Sequence, residues 1–350
     1  MIILGIETSC DETAMSVIGV SGKNSIKVLS NVISSQVKLH AKYGGVVPNL
    51  AAREHVKNIK HVFGLALKVA GINDFEKEID LIAVTRGPGL GPALLVGLTF
   101  AKTISWLYKK PLVGVNHLEG HIYSNWLSGS QMKDIFPALN LIVSGGHTEL
   151  VLMRGHGQYK IIGETVDDAI GEAFDKVARL LNLGYPGGPA VAQRATEFKV
   201  ESSKFKVEFP RPMINSKNYN FSYSGLKTAV LYKIRDLKNS GTKISPAVVN
   251  EICYEFQKAA VDVLIQKTMR AAKEFGVKSV LLSGGVSANK LLRSELQKNS
   301  AEAGIKYFQP PMEYTTDNAA MIAVAGYFTY LGNKKTPYGG VKMDANLGFK

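Results

Sequence analysis

The chain has 350 residues, 45% of them hydrophobic, with 42 lysines and arginines against 29 aspartates and glutamates, a net charge of +13 and two cysteines. That length and apolar content sustain a large core, usually divided into two lobes, while two cysteines exclude a disulfide framework. No stretch is long and uncharged enough to span a membrane, the apolar start runs straight into Glu7 with no basic flank before it, and the excess of positive charge points to a polyanionic partner, nucleic acid first.

In chain order, Ile2-Ile3-Leu4-Gly5-Ile6 reads as a buried first strand, residues 7–13 as a polar loop, and residues 14–20 as a second strand. An amphipathic helix follows over residues 51–70. Ile79-Asp80-Leu81-Ile82-Ala83-Val84 then leads through the turn Gly87-Pro88-Gly89-Leu90-Gly91 into a helix over 92–108, and Leu112-Val113-Gly114-Val115 is another short buried strand. The order then repeats: Leu139-Asn140-Leu141-Ile142-Val143, the turn Ser144-Gly145-Gly146-His147-Thr148, a strand over 149–153, a helix over 246–275, a strand over 278–282, the turn Ser283-Gly284-Gly285 and a helix over 290–299. A duplicated α/β chain of two lobes around a central cleft follows, with lobes at 1–115 and 116–350, an insertion at about 155–245 in the second, and a C-terminal helix able to pack back on the first. Its glycine turns are expected to present backbone N–H groups to phosphate or acyl-phosphate oxygens in that cleft.

Two residue sets carry chemistry. His117 and His121 lie four apart, behind Asn116 as a helix N-cap, so both imidazoles face one way and can grip one metal; Glu119 between them points elsewhere. The third ligand is expected from Asp317, ahead of a helix over 319–330, although Thr315, Thr316 or Asp317 would equally serve as that helix's N-cap. The spacing differs from the His-Glu-x-x-His of zinc proteases, and a pair of histidines argues for a softer metal than the Mg²⁺ of kinases or ATP-driven chaperones. Within the insertion, Asp175, on a helix over 167–181, has the chemistry to accept ribose hydroxyls, its alternative being a solvated carboxylate paired along its own helix.

These motifs, with Gly5-Ile6-Glu7-Thr8-Ser9-Cys10-Asp11-Glu12-Thr13, Val143-Ser144-Gly145-Gly146-His147-Thr148, Gly171-Glu172-Ala173-Phe174-Asp175-Lys176, Tyr185-Pro186-Gly187-Gly188-Pro189, Phe221-Ser222-Tyr223-Ser224-Gly225-Leu226-Lys227 and Thr316-Asp317-Asn318, occur in one order along nearly the whole chain. In that set the chain resembles the tRNA N6-adenosine threonylcarbamoyltransferase family, the bacterial TsaD type formerly called O-sialoglycoprotein endopeptidase. The resemblance implies the duplicated actin-like ATPase fold and transfer of threonylcarbamoyl from threonylcarbamoyl-AMP to N6 of the adenosine 3′ of the anticodon, in tRNAs reading codons that begin with A. It implies one divalent transition metal, Fe²⁺ favoured and Zn²⁺ possible, on His117, His121 and Asp317, and an adenylate pocket from Ile142, Val143, Ser144, Gly145, Gly146, Asp175, Gly188 and Asn289. It further implies a cytoplasmic enzyme working with a paralogous actin-like subunit and a small ATPase, of the TsaB and TsaE type. A carboxylate must take the proton from the attacking nitrogen, and Asp11 or Glu12 in the first loop is expected to do so, unless it caps that loop. For tRNA the expected patch is Lys199, Lys204 and Lys206. The competing reading is an ATP-dependent kinase or chaperone of the same fold.

Overall fold

Runs of buried apolar residues ending at glycine turns build both sheets. The computed structural model describes residues 1–21, 25–129, 132–199, 205, 207–332 and 340–349. Contacts divide the chain into two units: Met1–Ile135 with Met153–Lys160 and Gln309–Lys350, and Phe136–Leu152 with Ile161–Phe308.

The first unit holds β1 (Ile2–Glu7), β2 (Glu12–Ser21), β3 (Ser25–Ser35), α1 (Val37–His40), α2 (Pro48–Ala70), α3 (Phe75–Glu78), β4 (Leu81–Gly87), α4 (Gly91–Leu107), β5 (Leu112–Asn116) and α5 (His117–Tyr123). Its sheet runs β3-β2-β1-β4-β5, with β1–β2 and β2–β3 antiparallel and β1–β4 and β4–β5 parallel. Chain order then gives β6 (Ala138–Val143), β7 (Thr148–Gly155), β8 (Gln158–Glu164), α6 (Ile170–Leu180), α7 (Gly187–Thr196), α8 (Ser224–Asn239), α9 (Pro246–Glu274), β9 (Ser279–Ser283), α10 (Lys290–Glu302) and β10 (Lys306–Phe308), followed by α11 (Ala319–Leu331) of the first unit. The second sheet runs β10-β9-β6-β7-β8, the same order of parts as the first when β6 to β10 stand for β1 to β5.

The repeat read in the sequence is therefore a repeat of strand order, with one strand more in the first sheet and two more in the second than the apolar runs announce. β3 and β8 alternate exposed and half-buried residues and so lack the continuous apolar run of a central strand. β10 has only three residues. The contacts also run differently from a division at 115/116, because α5 continues directly from β5 and α11 lies against β1 and β4. A Cβ on Gly5 would fall 2.1 Å from the Ala319 carbonyl oxygen, and one on Gly326 would fall 2.3 Å from the Ala83 methyl, so glycine lets helix and sheet touch at backbone distance. α11 is buried along most of its length and carries no charged side chain, which fixes the position of its N-terminus.

Around β6 the second core gathers Leu139, Leu141 and Val143 with Phe174 of α6, Phe256 of α9 and Leu282 of β9. Phe174 and Phe256 meet edge-on at 5.0 Å. No helix among the described residues is long and apolar enough to cross a membrane.

Candidate metal centre and nucleotide-binding turns

Asn116 closes β5 and caps α5, its Oδ1 accepting from Leu118 N–H at 2.8 Å, so the helix begins on the first histidine. One turn separates His117 from His121, whose rings lie 4.7 Å apart, and both are buried. Asp317 Oδ1 sits 3.5 Å from His117 Nε2 and 3.3 Å from His121 Nε2. Three ligand atoms from these residues lie within 4.8 Å of one another, the group of this kind found among the described residues.

Asp317 is not the cap of α11. Asn318 is, its Oδ1 accepting from Met321 N–H at 3.0 Å, so the alternative role open to Asp317 in the sequence is already filled by its neighbour. The carboxylate turns instead to the two imidazoles.

The residue behind His117 is not among the candidate ligands of the sequence analysis. Glu7, at the end of β1 and fully buried, places Oε2 3.0 Å from His117 Nδ1 and takes a second hydrogen bond from Thr85 Oγ1 at 2.7 Å. Its other oxygen accepts from Ser9 N–H. Glu7 Oε2 accepts the hydrogen bond from Nδ1–H, which leaves Nε2, on the side of Asp317 and His121, as the nitrogen able to ligate a metal. Only the register of β1, β4 and β5 brings positions 7, 85 and 117 together; the one sequence cue was a carboxylate ending an otherwise apolar strand.

The donors suit a transition metal. Two imidazole nitrogens and a carboxylate oxygen are the mixed set such ions take, and ligands about 2.1 Å from a tetrahedral centre stand about 3.4 Å apart, close to the 3.3 and 3.5 Å observed here. Burial works against protonating His117, but Asp317 and Glu7 outweigh it and push the imidazole up to about 9. Without a cation the pair of carboxylates draws a proton to this spot.

Asp11 and Glu12 stand beside this group. Glu12 opens β2, accepts from Ser35 Oγ at 3.0 Å, and is pushed up to about 10 by burial, then by Asp317 and Asp11. Asp11 is buried and its Oδ2 has no hydrogen-bond partner. Burial and the same carboxylates raise the Cys10 thiol far above its usual range, which makes it a poor nucleophile.

The expected adenylate-binding residues lie in the second unit. Ile142 and Val143 end β6 as buried residues, while Gly145 and Gly146 are exposed and a Cβ on either would meet nothing. The turn is held by Ser144 Oγ, which accepts from His147 N–H at 3.0 Å, and by Gly171, whose N–H donates to the Ser144 carbonyl at 3.2 Å. Asp175 Oδ1 accepts from Gly187 N–H at 2.7 Å; burial raises this carboxyl while backbone bonds from Gly187 and Gly188 oppose the rise. Asp175 thus gathers the 187–188 glycines at the start of α7. Arg179, one turn along the same helix, also lowers this carboxyl, so it has a helix neighbour of the alternative kind besides its bond across to the turn. Asn289 caps α10, accepting from Leu292 N–H at 3.1 Å and donating to Gln257 Oε1 at 2.7 Å, so both ends of its amide are engaged within the fold.

Of the glycine turns, the first does not fit a phosphate cradle. Gly89 N–H donates to the Ala345 carbonyl at 3.2 Å, Leu90 N–H to the Ser9 carbonyl at 2.7 Å, and a Cβ on Gly87 would lie 1.7 Å from the Asp344 carbonyl oxygen. The segment 340–349 covers this turn, which is a packing junction. Of the expected tRNA patch, Lys199 is exposed, and Lys204 and Lys206 lie outside the described residues.

Comparison with known proteins decides between the readings. Residues 27–324 match the family described as TsaD, tRNA N6-adenosine threonylcarbamoyltransferase. Proteins of that name from Thermosipho africanus and Bacillus subtilis are each 49% identical, over 99% of this chain and 98% of the first protein, and over 94% and 91% for the second. The chain belongs to this family. As a member it is a transferase with tRNA as its substrate, and the kinase or chaperone alternative is not favoured. Among solved structures, HypF of T. kodakarensis aligns with a TM-score of 0.61 at 17% identity, over 96% of this chain and 48% of that one. Component A of the Acidaminococcus fermentans (R)-2-hydroxyglutaryl-CoA dehydratase aligns at 0.50 and 13% identity, over 93% and 98%. At such identities the likeness speaks for the fold alone, an α/β actin-like ATPase fold.

Proposed function

We propose that this member of the family transfers threonylcarbamoyl from threonylcarbamoyl-AMP to N6 of the adenosine 3′ of the anticodon in tRNAs reading ANN codons, and releases AMP. The observation that carries the chemistry is the convergence of His117, His121 and Asp317 with Glu7 behind the first histidine. A kinase or ATP-driven chaperone holds a hard cation through carboxylates and water, and has no use for this donor set.

When bound by His117, His121 and Asp317, a divalent transition metal, iron(II) by preference and zinc otherwise, supplies Lewis acidity toward substrate oxygens. Glu7 keeps His117 in the tautomer and orientation that leave Nε2 free. The exocyclic amine is a weak nucleophile, since its lone pair is delocalised into the purine. The reaction therefore depends on orientation and on stabilising the leaving group. The N6 lone pair attacks the carbamoyl carbon, the bond from that carbon to the phosphate oxygen breaks, and AMP departs with the electron pair. Asp11 takes the proton from N6, since its Oδ2 is a buried acceptor with no partner. Burial, then Asp317 and Asp11, raise Glu12, which makes it the weaker candidate for that role.

On the adenylate side, the open N–H groups of Gly145 and Gly146 receive phosphate oxygens, Ser144 shapes the turn through its bonds to His147, Asp175 with Gly188 and Asn289 frames the ribose and base, and Ile142 and Val143 fix the strand beneath. A paralogous actin-like subunit and a small ATPase are the proposed partners, and the cytoplasm the proposed location. AMP release that requires both tRNA and threonylcarbamoyl-AMP tests the whole reading; release with ATP alone would favour the kinase or chaperone.

A further inference from the structure

α8 follows the Phe221–Lys227 motif, to which neither the metal centre nor the nucleotide turns give a role. Its buried stripe is Leu226, Val230, Ile234 and Leu237, so the opposite face is held outward. Lys227, Leu231, Arg235 and Lys238 run at helical spacing along the flank that joins the stripe to that outer face, Lys227 half-buried, and Tyr232 lies on the outer face next to Arg235; Leu231 is 43% and Tyr232 51% exposed. The Arg235 guanidinium lies over the Tyr232 ring, 4.8 Å from its centroid. α8 carries four cations, Lys227, Lys233, Arg235 and Lys238, against one carboxylate, Asp236, and none of the three lysines has an ion-pair partner among the described residues.

The platform is rigidly mounted. Asp167 accepts from Ser222 Oγ, Ser224 Oγ and the N–H groups of Tyr223 and Ser224, which ties the motif to the residues before α6. The preceding loop is clamped from below by α9: the fully buried Lys267 donates to Ser216 Oγ at 2.8 Å and to the Asn220 carbonyl at 2.6 Å, and Arg270 donates to the Asn218 carbonyl at 2.6 Å. Polar groups sunk this deep hold the loop in one conformation.

We propose that the outer face of α8 is a tRNA-contact surface, on which an unpaired base stacks against the Tyr232–Arg235 pair while Lys227 and Lys238 meet the flanking phosphates. Charge complementarity selects the partner: an excess of unpaired cations beside an exposed aromatic ring and a planar guanidinium is the chemistry that single-stranded RNA loops bind. This inference rests on the transferase reading.

The test is the affinity of the full-length chain for an unmodified tRNA reading an ANN codon, by fluorescence anisotropy across a salt series, with thermal melting as the folding control. Tyr232→Ala weakens binding by about 10-fold or more and Tyr232→Phe restores it, because the ring is what stacks. The double variant Lys227→Gln with Lys238→Gln lowers the slope of log affinity against log salt by about 1.4. Variants that melt like wild type yet match it in both affinity and slope overturn the footprint, as does a loss confined to binding of a protein partner. Wild-type chain that neither binds this tRNA nor releases AMP with it would instead strike the transferase reading beneath.

Discussion

The two sheets share one strand order, yet the loops that follow their first strands are made for different work. After β1, the loop at 8–11 is buried and crowded with polar groups: Glu7 is bonded to His117, Thr85 and Ser9, and Asp11 is sunk beside Glu12. After β6, the turn at 144–147 is open, and its two glycines face space that a side chain would enter unopposed. Duplication gave one frame twice. One copy became a cluster of ionisable side chains able to hold a metal and move a proton, and the other a backbone surface able to receive phosphate.

The largest effect expected from breaking this division is on proton transfer. Asp11→Asn keeps the shape and removes the acceptor, so transfer should fall by about 10³-fold with metal content unchanged, measured as AMP release and by elemental analysis. A loss of only a few-fold would move the base elsewhere.

A matched pair of glycine substitutions comes next. Gly87 has φ of +150° and its Cβ would strike the Asp344 carbonyl, so Gly87→Ala should lower stability by about 4 kcal/mol. Gly146→Ala meets nothing, and should melt within about 0.5 kcal/mol of wild type while weakening the binding of an adenylate analogue. If both variants melt alike, the contrast between the covered and the open turn is wrong.

Two buried carboxylates sharpen the comparison. Glu149 on β7 is 8% exposed, its Oε2 has no partner, and burial with Glu164 nearby pushes it up to about 7 from an ordinary 4.5. A carboxyl raised on folding binds its proton more tightly in the native state, so its cost is absent below about pH 4.5, grows as pH rises and is complete above about 7. Glu149→Gln should therefore stabilise the protein by on the order of 2 to 3 kcal/mol at pH 8 and by little at pH 4.5, read from denaturant midpoints. Glu7 is buried just as deeply but fully bonded, and there Glu7→Gln should weaken metal affinity by about 10 to 100-fold, measured by competition with a chelator. Unchanged metal affinity would reduce Glu7 to a packing group.

Much of this is legible in the sequence alone. The strand–turn–helix order, the i, i+4 histidines and the Asn116 cap are local features, and local physics writes them into adjacent residues. What was not legible depends on chain segments far apart. Glu7 becomes the partner of His117 only through strand register, and the role of Asp317 is decided by Asn318 taking the cap. Segment 340–349, which bears no motif, determines that the Gly87–Gly89 turn is closed. β3 and β8 went unread because edge strands that face water on one side carry no apolar run. Apart from the helix over 167–181, the ninety or so residues between β7 and α9 read as turns because the bonds of Asp167, Asp175 and Lys267, which order them, all reach well beyond neighbouring residues.

The central claim is that metal and nucleotide are held by different copies of the duplicated frame. Elemental analysis of wild type, His117→Ala and Asp175→Ala, purified side by side, tests it most directly. The account predicts one transition-metal ion per chain in wild type and in Asp175→Ala, and loss of the ion in His117→Ala. Metal retained by His117→Ala, or lost from Asp175→Ala while that variant stays folded, would contradict it.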